Sequence, residues 1–408
     1  MNDTNHTNDT AGIDLLDPHA INDPHTYFRL HRTNGPVQWS GRHRAWIILG
    51  HPELEEAFRN PAMSTERMEA FSARLSGSRR DALARAIELL DGWMLFHEPP
   101  EHTRLRSPFS RAFTPKTVKA LEADIRSITD DLLNRIPADA PFDLVTSFAH
   151  QLPAAVIARL FGVPDELGDW LREWSARFGV VVFGATRRPD YEDVARAAGT
   201  EFHEHMWAIL DDRRANPRND LASILVAMEN EPDGLSTAEI IGACSLLLFA
   251  GHDTTSSFIG SATLALLADP SAADALRSDD CPIEPAIEEL LRFETSAKAM
   301  MRLVKEDHEF AGHRVKAGDA VFLTIMAANR DPRVFERPDT LNLARDPNPH
   351  LAFGHGHHFC LGASLARLEA RVALPALMKR FPDLRLAGDV VWKPNISDRS
   401  ASYIPLHT

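Results

Sequence analysis

The chain is poor in cysteine and in positive charge, and each shortage excludes a class of protein. Three cysteines stand far apart among 408 residues, with no Cys-x-x-Cys pair. A disulfide framework is therefore excluded, and a reducing cytoplasm is the expected location. Lys and Arg number 44 against 58 Asp and Glu, a formal net charge of −14. That acidity argues against nucleic acid and anionic membrane as partners.

The first residues, MNDTNHTNDTAG, lack the apolar core of a signal peptide or membrane anchor, and we expect residues 1–12 to be a disordered polar tail. No linker, repeat or composition break divides residues 13–408, which predicts a single domain. Residues 37–50 predict a β-hairpin, helical periodicity prevails over residues 52–268, and short strands return near 301–304, 309–315 and 320–324. The predicted fold class is mainly α with a small β part.

The segment LSTAEIIGACSLLLFAGHDTTSSFIGSATLALLADP predicts one long buried helix. It opens with Ser236 and Glu239 in capping-box spacing. Over residues 240–268 its only acidic or basic residues are His252 and Asp253. A helix that is apolar on every face lies in a core or spans a membrane. Because the apolar run before His252 is too short for a bilayer, a central helix through a soluble core is favoured.

The segment HLAFGHGHHFCLGASLARLE, residues 350–369, places Cys360 at the start of a predicted helix. Free N–H groups there lower the pKa of a thiol and so favour a thiolate metal ligand. Gly354, Gly356 and Gly362 let the backbone bend and approach a flat ligand closely. A small buried cysteine is an alternative, and so is zinc, although zinc ligands usually come from spaced pairs. The zinc ligands would be His355, His357, His358 and Cys360.

The motif AGHDTT, residues 250–255, places polar side chains inside the predicted buried helix. Such groups are costly unless satisfied, and a threonine can bond the backbone carbonyl one turn earlier. One interpretation is a helix kink relieved by water. We favour a proton-delivery pair, Asp253 and Thr254, because buried polar groups that disturb a helix are often functional. Ala250 and Gly251 would leave space beside the pair.

Two pairs of charged residues indicate a function only when they are considered together with the other motifs. Glu289 and Arg292 in EELLR are three residues apart, so they share a helix face and can pair. His102 and Arg106 in HEPPEHTRLR are four apart and could clamp one or two carboxylates. Arg302, at a predicted strand start, could be a third cation. Singly, each would be a solvated surface residue.

Together these motifs resemble the cytochrome P450 superfamily, in its soluble bacterial form, over nearly the whole chain. FGHGHHFCLG matches the family's Phe-x-x-Gly-x-His/Arg-x-Cys-x-Gly loop, and the order of the motifs is typical as well. The resemblance implies the cytochrome P450 fold, with a long central helix over haem b. Cys360 would be the proximal thiolate and the metal ligand. The other cofactor-binding residues would be Ala250, Phe353, Gly354 and Gly362, with His102, Arg106, Arg302 and His358 on the haem propionates.

The resemblance implies a haem-thiolate monooxygenase that activates O2 to hydroxylate a small organic substrate, such as a secondary-metabolite intermediate. Asp253 and Thr254 would relay protons to the oxygen. Glu289 and Arg292 would form a structural ion pair, often completed in relatives by an arginine where this chain has Thr340, so Arg337 or Arg345 is expected to substitute. Electrons would come from a separate ferredoxin and its NAD(P)H-dependent reductase.

The same resemblance places a mainly apolar substrate pocket. Its exception is Lys298, which could bind a substrate carboxylate or phosphate or else extend to solvent. Oxidative coupling, nitration and desaturation by the same fold are alternatives, and so is a non-catalytic haem or gas-binding protein, which would not need a proton-delivery pair. The predicted pocket residues are Leu90, Trp93, Met94, Leu246, Phe249, Ala297, Lys298, Ala299 and Ile396.

Overall fold

The computed structural model describes residues 12–73, 75–164, 167–182, 188–229, 231, 234–278 and 281–408. The expected tail, residues 1–12, therefore lies outside the described residues except for its last. The chain divides into two compact units, each built from separate stretches. The first holds the described residues up to Ser64 together with Glu284–Phe359 and Val391–Ser402. The second holds Thr65–Ile283, Cys360–Val390 and Tyr403–Thr408. The single domain over residues 13–408 stays a prediction.

Helices dominate the described chain, as the periodicity predicted. Short 3-10 turns occur at Met94–Phe96 and Gly356–His358, and a π-helical turn occurs at Val145–Ala149. The α-helices are α1 (Pro18–Asn22), α2 (Pro24–Arg32), α3 (His51–Arg59), α4 (Met68–Ser72), α5 (Gly77–Asp91), α6 (Glu101–Ala112), α7 (Pro115–Ala120), α8 (Glu122–Arg135), α9 (Gln151–Phe161), α10 (Gly168–Val182), α11 (Tyr191–Ala215), α12 (Leu221–Met228), α13 (Thr237–Ala268), α14 (Pro270–Ser278), α15 (Ile283–Phe293), α16 (Ile325–Ala328) and α17 (Ala363–Arg380).

The strands are short, and the predicted hairpin and later strands are confirmed within two residues of the predicted bounds. The strands are β1 (Val37–Ser40), β2 (Ala45–Ile48), β3 (Met63–Ser64), β4 (Pro141–Asp143), β5 (Met300–Val304), β6 (His308–Phe310), β7 (His313–Val315), β8 (Ala320–Leu323), β9 (Arg385–Leu386), β10 (Val391–Trp392), β11 (Ala401–Tyr403) and β12 (Pro405–His407).

A five-stranded sheet in the order β1-β2-β8-β5-β3 organises the first unit. Strand β2 pairs in parallel with β8, with Ile48 opposite Leu323, and its other neighbour β1 is antiparallel. Successive side chains of a strand point to opposite faces. Trp46 and Ile48 accordingly join one apolar cluster, and Ile47 and Leu49 join another. The sheet is thus covered on both faces, which explains why β2 is apolar at every position.

A buried charge cluster connects α2 with later parts of the first unit. His25 Nε2 lies 3.0 Å from Glu294 Oε1, and Arg330 and Arg399 approach the same carboxylate at 3.4 and 3.7 Å. Burial alone would raise the pKa of Glu294, but His25, Arg399 and Arg330 hold it at about 2. The carboxylate therefore stays ionised at neutral pH and joins four separate segments of this unit.

The predicted long helix is α13, in the second unit. The Ser236 N–H donates to Glu239 Oε2 at 2.8 Å, and the Glu239 N–H donates to Ser236 Oγ at 3.3 Å, so the capping box is confirmed. Helix α13 packs against α5, α9, α11 and α17. Among the helices that the structure describes, none is both long enough and apolar enough to cross a bilayer.

The end of α5 meets α13 at a pair of glycines. A Cβ atom on Gly242 would lie 2.7 Å from the Cα of Gly92, and the reverse distance is also 2.7 Å. Neither position can carry a side chain without moving one backbone. Beside this crossing, Trp93 Nε1 donates to Ser245 Oγ at 2.7 Å, and the Trp93 and Phe249 rings lie 5.8 Å apart. The contact fixes the middle of α13 against α5.

Candidate active site

Cys360 lies just before α17, whose N-cap is Gly362. The residue is exposed, yet protein atoms around the thiol limit its hydration, and this burial raises its pKa. The Gly362 N–H and the charges of Arg106 and Arg367 act in the opposite direction. The lowered pKa expected for a thiol at a helix start is therefore wrong for the free thiol, because desolvation outweighs the donors. Coordination to a cation would supply the missing stabilisation of the thiolate.

The two cations predicted to share a face of α6 are His102 and Arg106. His102 is buried, at 3% exposed, and Arg106 is half-buried. Burial lowers the pKa of Arg106, whereas the negative charge of Cys360 raises it, so these two side chains interact. Arg367 is a further cation near Cys360 that the sequence analysis missed. Arg367 follows Cys360 by seven residues, or about two helical turns, and this spacing could have identified it from the sequence.

The loop before Cys360 is shaped by two glycines of the first unit. Gly354 and Gly356 have φ of +71° and +76°, in the left-handed region that favours glycine. A Cβ on Gly356 would also lie 3.2 Å from the Phe58 carbonyl oxygen. In the same unit, Arg302 of β5 is 5% exposed, with its guanidinium carbon 5.8 Å from the centre of the Phe58 ring. The other predicted cofactor contacts of this unit, Phe353 and His358, are half-buried.

Glu289 and Arg292 form the predicted pair, with both side chains 0% exposed. Arg292 Nε and Nη2 donate to the two carboxylate oxygens at 2.7 and 2.8 Å, a bidentate contact. Arg345 is the third member, because its Nε donates to Glu289 Oε2 at 2.9 Å. Arg337 is 75% exposed, and its backbone carbonyl accepts from Arg345. Of the two residues expected to substitute for the arginine missing at Thr340, it is Arg345 that contacts Glu289.

The polar residues in the middle of α13 leave the helix continuous. Thr254 is exposed, and its hydroxyl donates to the Ala250 carbonyl at 3.1 Å, the bond to the preceding turn that the sequence suggested. Asp253 faces two imidazoles: its Oδ1 lies 3.5 Å from His150 Nε2 and 3.6 Å from His252 Nε2. Sequence reasoning missed His150, because no local periodicity relates it to a residue so far along the chain.

Three of the predicted pocket residues are almost fully buried, and their place in a pocket stays a prediction. Trp93 is 1% exposed and is held by Ser245. Ala299 and Lys298 are each 2% exposed, and Lys298 Nζ donates to the Leu15 carbonyl at 3.0 Å, so it does not extend to solvent. Burial lowers the pKa of Lys298 to about 8. The others retain some accessible surface and stay predictions: Leu90, Met94, Leu246, Phe249, Ala297 and Ile396.

A thiol before a helix start, guanidinium groups beside it and a threonine hydroxyl within a long central helix define the haem-thiolate class. The chain belongs to the cytochrome P450 family, whose model matches residues 188–279 and 283–396. It is 39% identical over 325 residues to the polyketide biosynthesis cytochrome P450 PksS of Bacillus subtilis, covering 78% of each chain. It is 37% identical over 407 residues to nocardicin C N-oxygenase of Nocardia uniformis, covering 98% of each. The solved structure of Bacillus subtilis PksS matches at a TM-score of 0.86 and 32% identity, over 97% of this chain and 99% of that one.

Family membership confirms the predicted fold class, activity and cofactor. The protein is a cytochrome P450 monooxygenase with haem b on a cysteine thiolate, acting with O2 and redox partners on small organic molecules of secondary metabolism. The side chains present suit that cofactor: a thiol with helix-start N–H groups for the iron, and cations of α6 for carboxylates. The non-catalytic and zinc-only alternatives are set aside.

Proposed function

We propose that Cys360 is the thiolate ligand of the haem and that the enzyme hydroxylates a small secondary metabolite. The contacts of the cysteine carry this assignment. Cys360 is exposed, receives backbone N–H groups at the start of α17, and lies in the field of Arg106 and Arg367. Cys244 is 0% exposed inside α13, and Cys281 precedes α15. Cys244 lacks the helix-start position that suits a thiolate, and Cys281, although it precedes a helix, lies outside the FGHGHHFCLG loop.

The haem, when bound, supplies reductive activation of O2, and electron donation from the thiolate favours O–O cleavage. The protein binds and orients the cofactor. Cationic side chains match its two propionates, with charge-assisted hydrogen bonds as the source of affinity. By the family resemblance, His102, Arg106, Arg302 and His358 would hold the propionates, and Ala250, Phe353, Gly354 and Gly362 would line the macrocycle.

Asp253 and Thr254 hold and move protons. The Thr254 hydroxyl has one hydrogen, which it donates to the Ala250 carbonyl, and rotation about the Cβ–Oγ1 bond would redirect that hydrogen to a polar group of the reacting complex. Asp253 is 40% exposed and can exchange protons with water and with His150. Asp253 would therefore take up protons from solvent, and the Thr254 hydroxyl would present one to the reacting complex.

The substrate is a small, mainly apolar product of secondary metabolism. The names of relatives support the class but not one compound, because polyketide biosynthesis and N-oxygenation of nocardicin C differ. An acidic substrate group is no longer supported by Lys298, whose ammonium is bound to Leu15. The apolar candidates that retain accessible surface are Leu90, Met94, Leu246, Phe249, Ala297 and Ile396.

Electrons come from a separate ferredoxin and its NAD(P)H-dependent reductase, in the cytoplasm. Three widely spaced cysteines, one of them used for haem, cannot provide the four ligands of an iron–sulfur cluster. That centre therefore lies outside these 408 residues.

The test compares three alanine substitutions at the three cysteines of the chain. The absorption spectrum of the reduced protein with carbon monoxide should show the far-red-shifted Soret band of a thiolate-ligated haem in the wild type, Cys244→Ala and Cys281→Ala. Cys360→Ala should lose it while retaining the far-UV circular dichroism of a helical protein. A band that survives in Cys360→Ala would overturn the assignment, as would its loss only in one of the other two variants.

A further inference from the structure

We propose that His150, His252 and Asp253 form a binding site for a divalent transition-metal ion such as Zn²⁺. This site is distinct from the haem site. All three residues belong to the second unit. One ligand atom of each lies within 4.8 Å of the ligand atoms of the other two. Two imidazoles and one carboxylate are a donor set that suits zinc and its neighbours in the first transition series.

The tautomer of His252 favours metal binding. Its Nδ1 lies 2.9 Å from the Leu248 carbonyl oxygen. A carbonyl only accepts, so Nδ1 carries the hydrogen, and Nε2 of the neutral ring has its lone pair on the side of Asp253. Metal-ligating histidines are commonly held in this way, with the second ring nitrogen donating to a carbonyl that orients the imidazole.

The spacing of the ligand atoms also fits a shared ion. Asp253 Oδ1 lies 3.5 Å from His150 Nε2 and 3.6 Å from His252 Nε2. Direct N–H···O bonds are shorter, at about 2.7–3.2 Å. Two ligands at about 2.0–2.1 Å from one zinc ion in a tetrahedron lie about 3.4 Å apart. The distance from Asp253 Oδ1 to each histidine Nε2 is therefore close to the distance between two ligand atoms that share one zinc ion.

Helix packing fixes the two histidines relative to each other. His150 directly precedes α9, and its ring lies 5.1 Å from that of His252 at an interplanar angle of 89°. A Cβ on Gly251 would lie 3.1 Å from Ile157 of α9, so the space that the sequence analysis assigned beside the proton-delivery pair is filled by α9. Gly251 thereby allows α9, and with it His150, to approach α13.

The exposure of the three side chains leaves an entrance for the ion. His252 is 1% exposed, His150 is 28% exposed and Asp253 is 40% exposed. One ligand is thus anchored in the core and two border solvent, which leaves a fourth position for water. A metal ion here would also prevent Asp253 from carrying protons. That consequence rests on the proposed function, whereas metal binding itself does not.

The first experiment is calorimetric titration of the haem-loaded protein with Zn²⁺. We expect the wild type to bind one Zn²⁺ ion. The affinity of His150→Gln for Zn²⁺ should be lower by at least roughly 10–100-fold, the loss that is typical when a supporting partner of a metal ligand is removed. His19→Gln is the control, because it removes an exposed imidazole that belongs to no candidate metal group of the described residues, and it should bind as the wild type does. Unchanged carbon monoxide spectra would show that the variants are folded. The proposal is overturned if His150→Gln binds Zn²⁺ like the wild type or if His19→Gln alone loses binding.

X-ray absorption at the zinc edge identifies the ligands. A one-to-one complex should show two imidazoles and light oxygen or nitrogen neighbours at about 2.0–2.1 Å. Sulfur in the coordination shell, or a single imidazole, would contradict the assignment. With a surrogate substrate found by spectral titration, Zn²⁺ should lower product formed per O2 consumed in the wild type and not in His150→Gln. Confirmed binding without that effect would remove the proton-carrying role of Asp253 and leave the metal site standing.

Discussion

Replacing Arg345 by alanine should destabilise the protein strongly, whereas replacing Arg337 should not. The Arg345 side chain is 9% exposed and lies 2.9 Å from Glu289, which is 0% exposed. The Arg337 side chain is 75% exposed. Removing one partner of a buried ion pair leaves a charge without full compensation, which commonly costs about 3–5 kcal/mol. The two variants therefore compare a buried arginine with an exposed one from the same loop.

The contacts place the expected loss near the lower end of that range. Glu289 keeps both hydrogen bonds from Arg292, so its charge stays partly compensated. Arg345 also donates to the Glu336 carbonyl at 2.9 Å, and a hydrogen bond to a charged group contributes about 1.5–3 kcal/mol. We expect about 3 kcal/mol for Arg345→Ala and a change within about 0.5 kcal/mol for Arg337→Ala.

Urea unfolding of the haem-loaded proteins, followed by circular dichroism, measures the difference. Comparing transition midpoints avoids assuming one cooperative transition in a chain with two compact units. Arg345→Lys keeps the charge but loses the planar fork, so its midpoint should fall between those of the wild type and Arg345→Ala. Equal midpoints for Arg345→Ala and Arg337→Ala would refute a stabilising role for the third arginine.

Three further outcomes are expected. Thr254→Ala should keep the carbon monoxide spectrum but yield less product per O2 consumed, whereas Thr254→Ser, which keeps the hydroxyl, should resemble the wild type when oxygen uptake and product are measured together. The free energy of unfolding should fall by about 3 kcal/mol as the pH drops from about 4.5 through about 2, because the unfolded Glu294 takes up a proton that the folded carboxylate, with a pKa of about 2, resists. Urea midpoints against pH should show a flatter acid limb for Glu294→Gln. Lys298→Met should lower stability by about 1 kcal/mol through loss of the bond to Leu15, and leave substrate affinity in spectral titrations unchanged; a large change in affinity would return Lys298 to the pocket.

The sequence predicted best those features that depend on residues close together in the chain. The capping box of Ser236 and Glu239, the early hairpin and the pair of Glu289 and Arg292 each follow from spacings of a few residues. The long apolar helix follows from composition over one continuous segment. These are local rules, and packing against the rest of the protein reinforces them here.

Features that depend on distant segments could not be predicted in the same way. Nothing in the sequence near Asp253 points to His150, and the choice of Arg345 over Arg337 depends on how one loop folds around Glu289. The pKa of Cys360 was predicted in the wrong direction because helix-start donors can be read from sequence, whereas desolvation by surrounding atoms cannot. The pocket assignment of Trp93 stays a prediction, because an apolar residue can line a pocket or fill a core and the sequence does not separate the two.

The glycine contact between α5 and α13 limits how this enzyme can be engineered for new substrates. In a saturation library, any amino-acid replacement at Gly92 or Gly242 introduces a Cβ that would lie 2.7 Å from the facing Cα. Such clones would be dominated by misfolded protein and would be scored as inactive for reasons unrelated to substrate choice. Leu246 and Phe249 follow on the same helix without a glycine's constraint. Diversity at these two proposed pocket positions, with both glycines held constant, avoids this source of inactive clones.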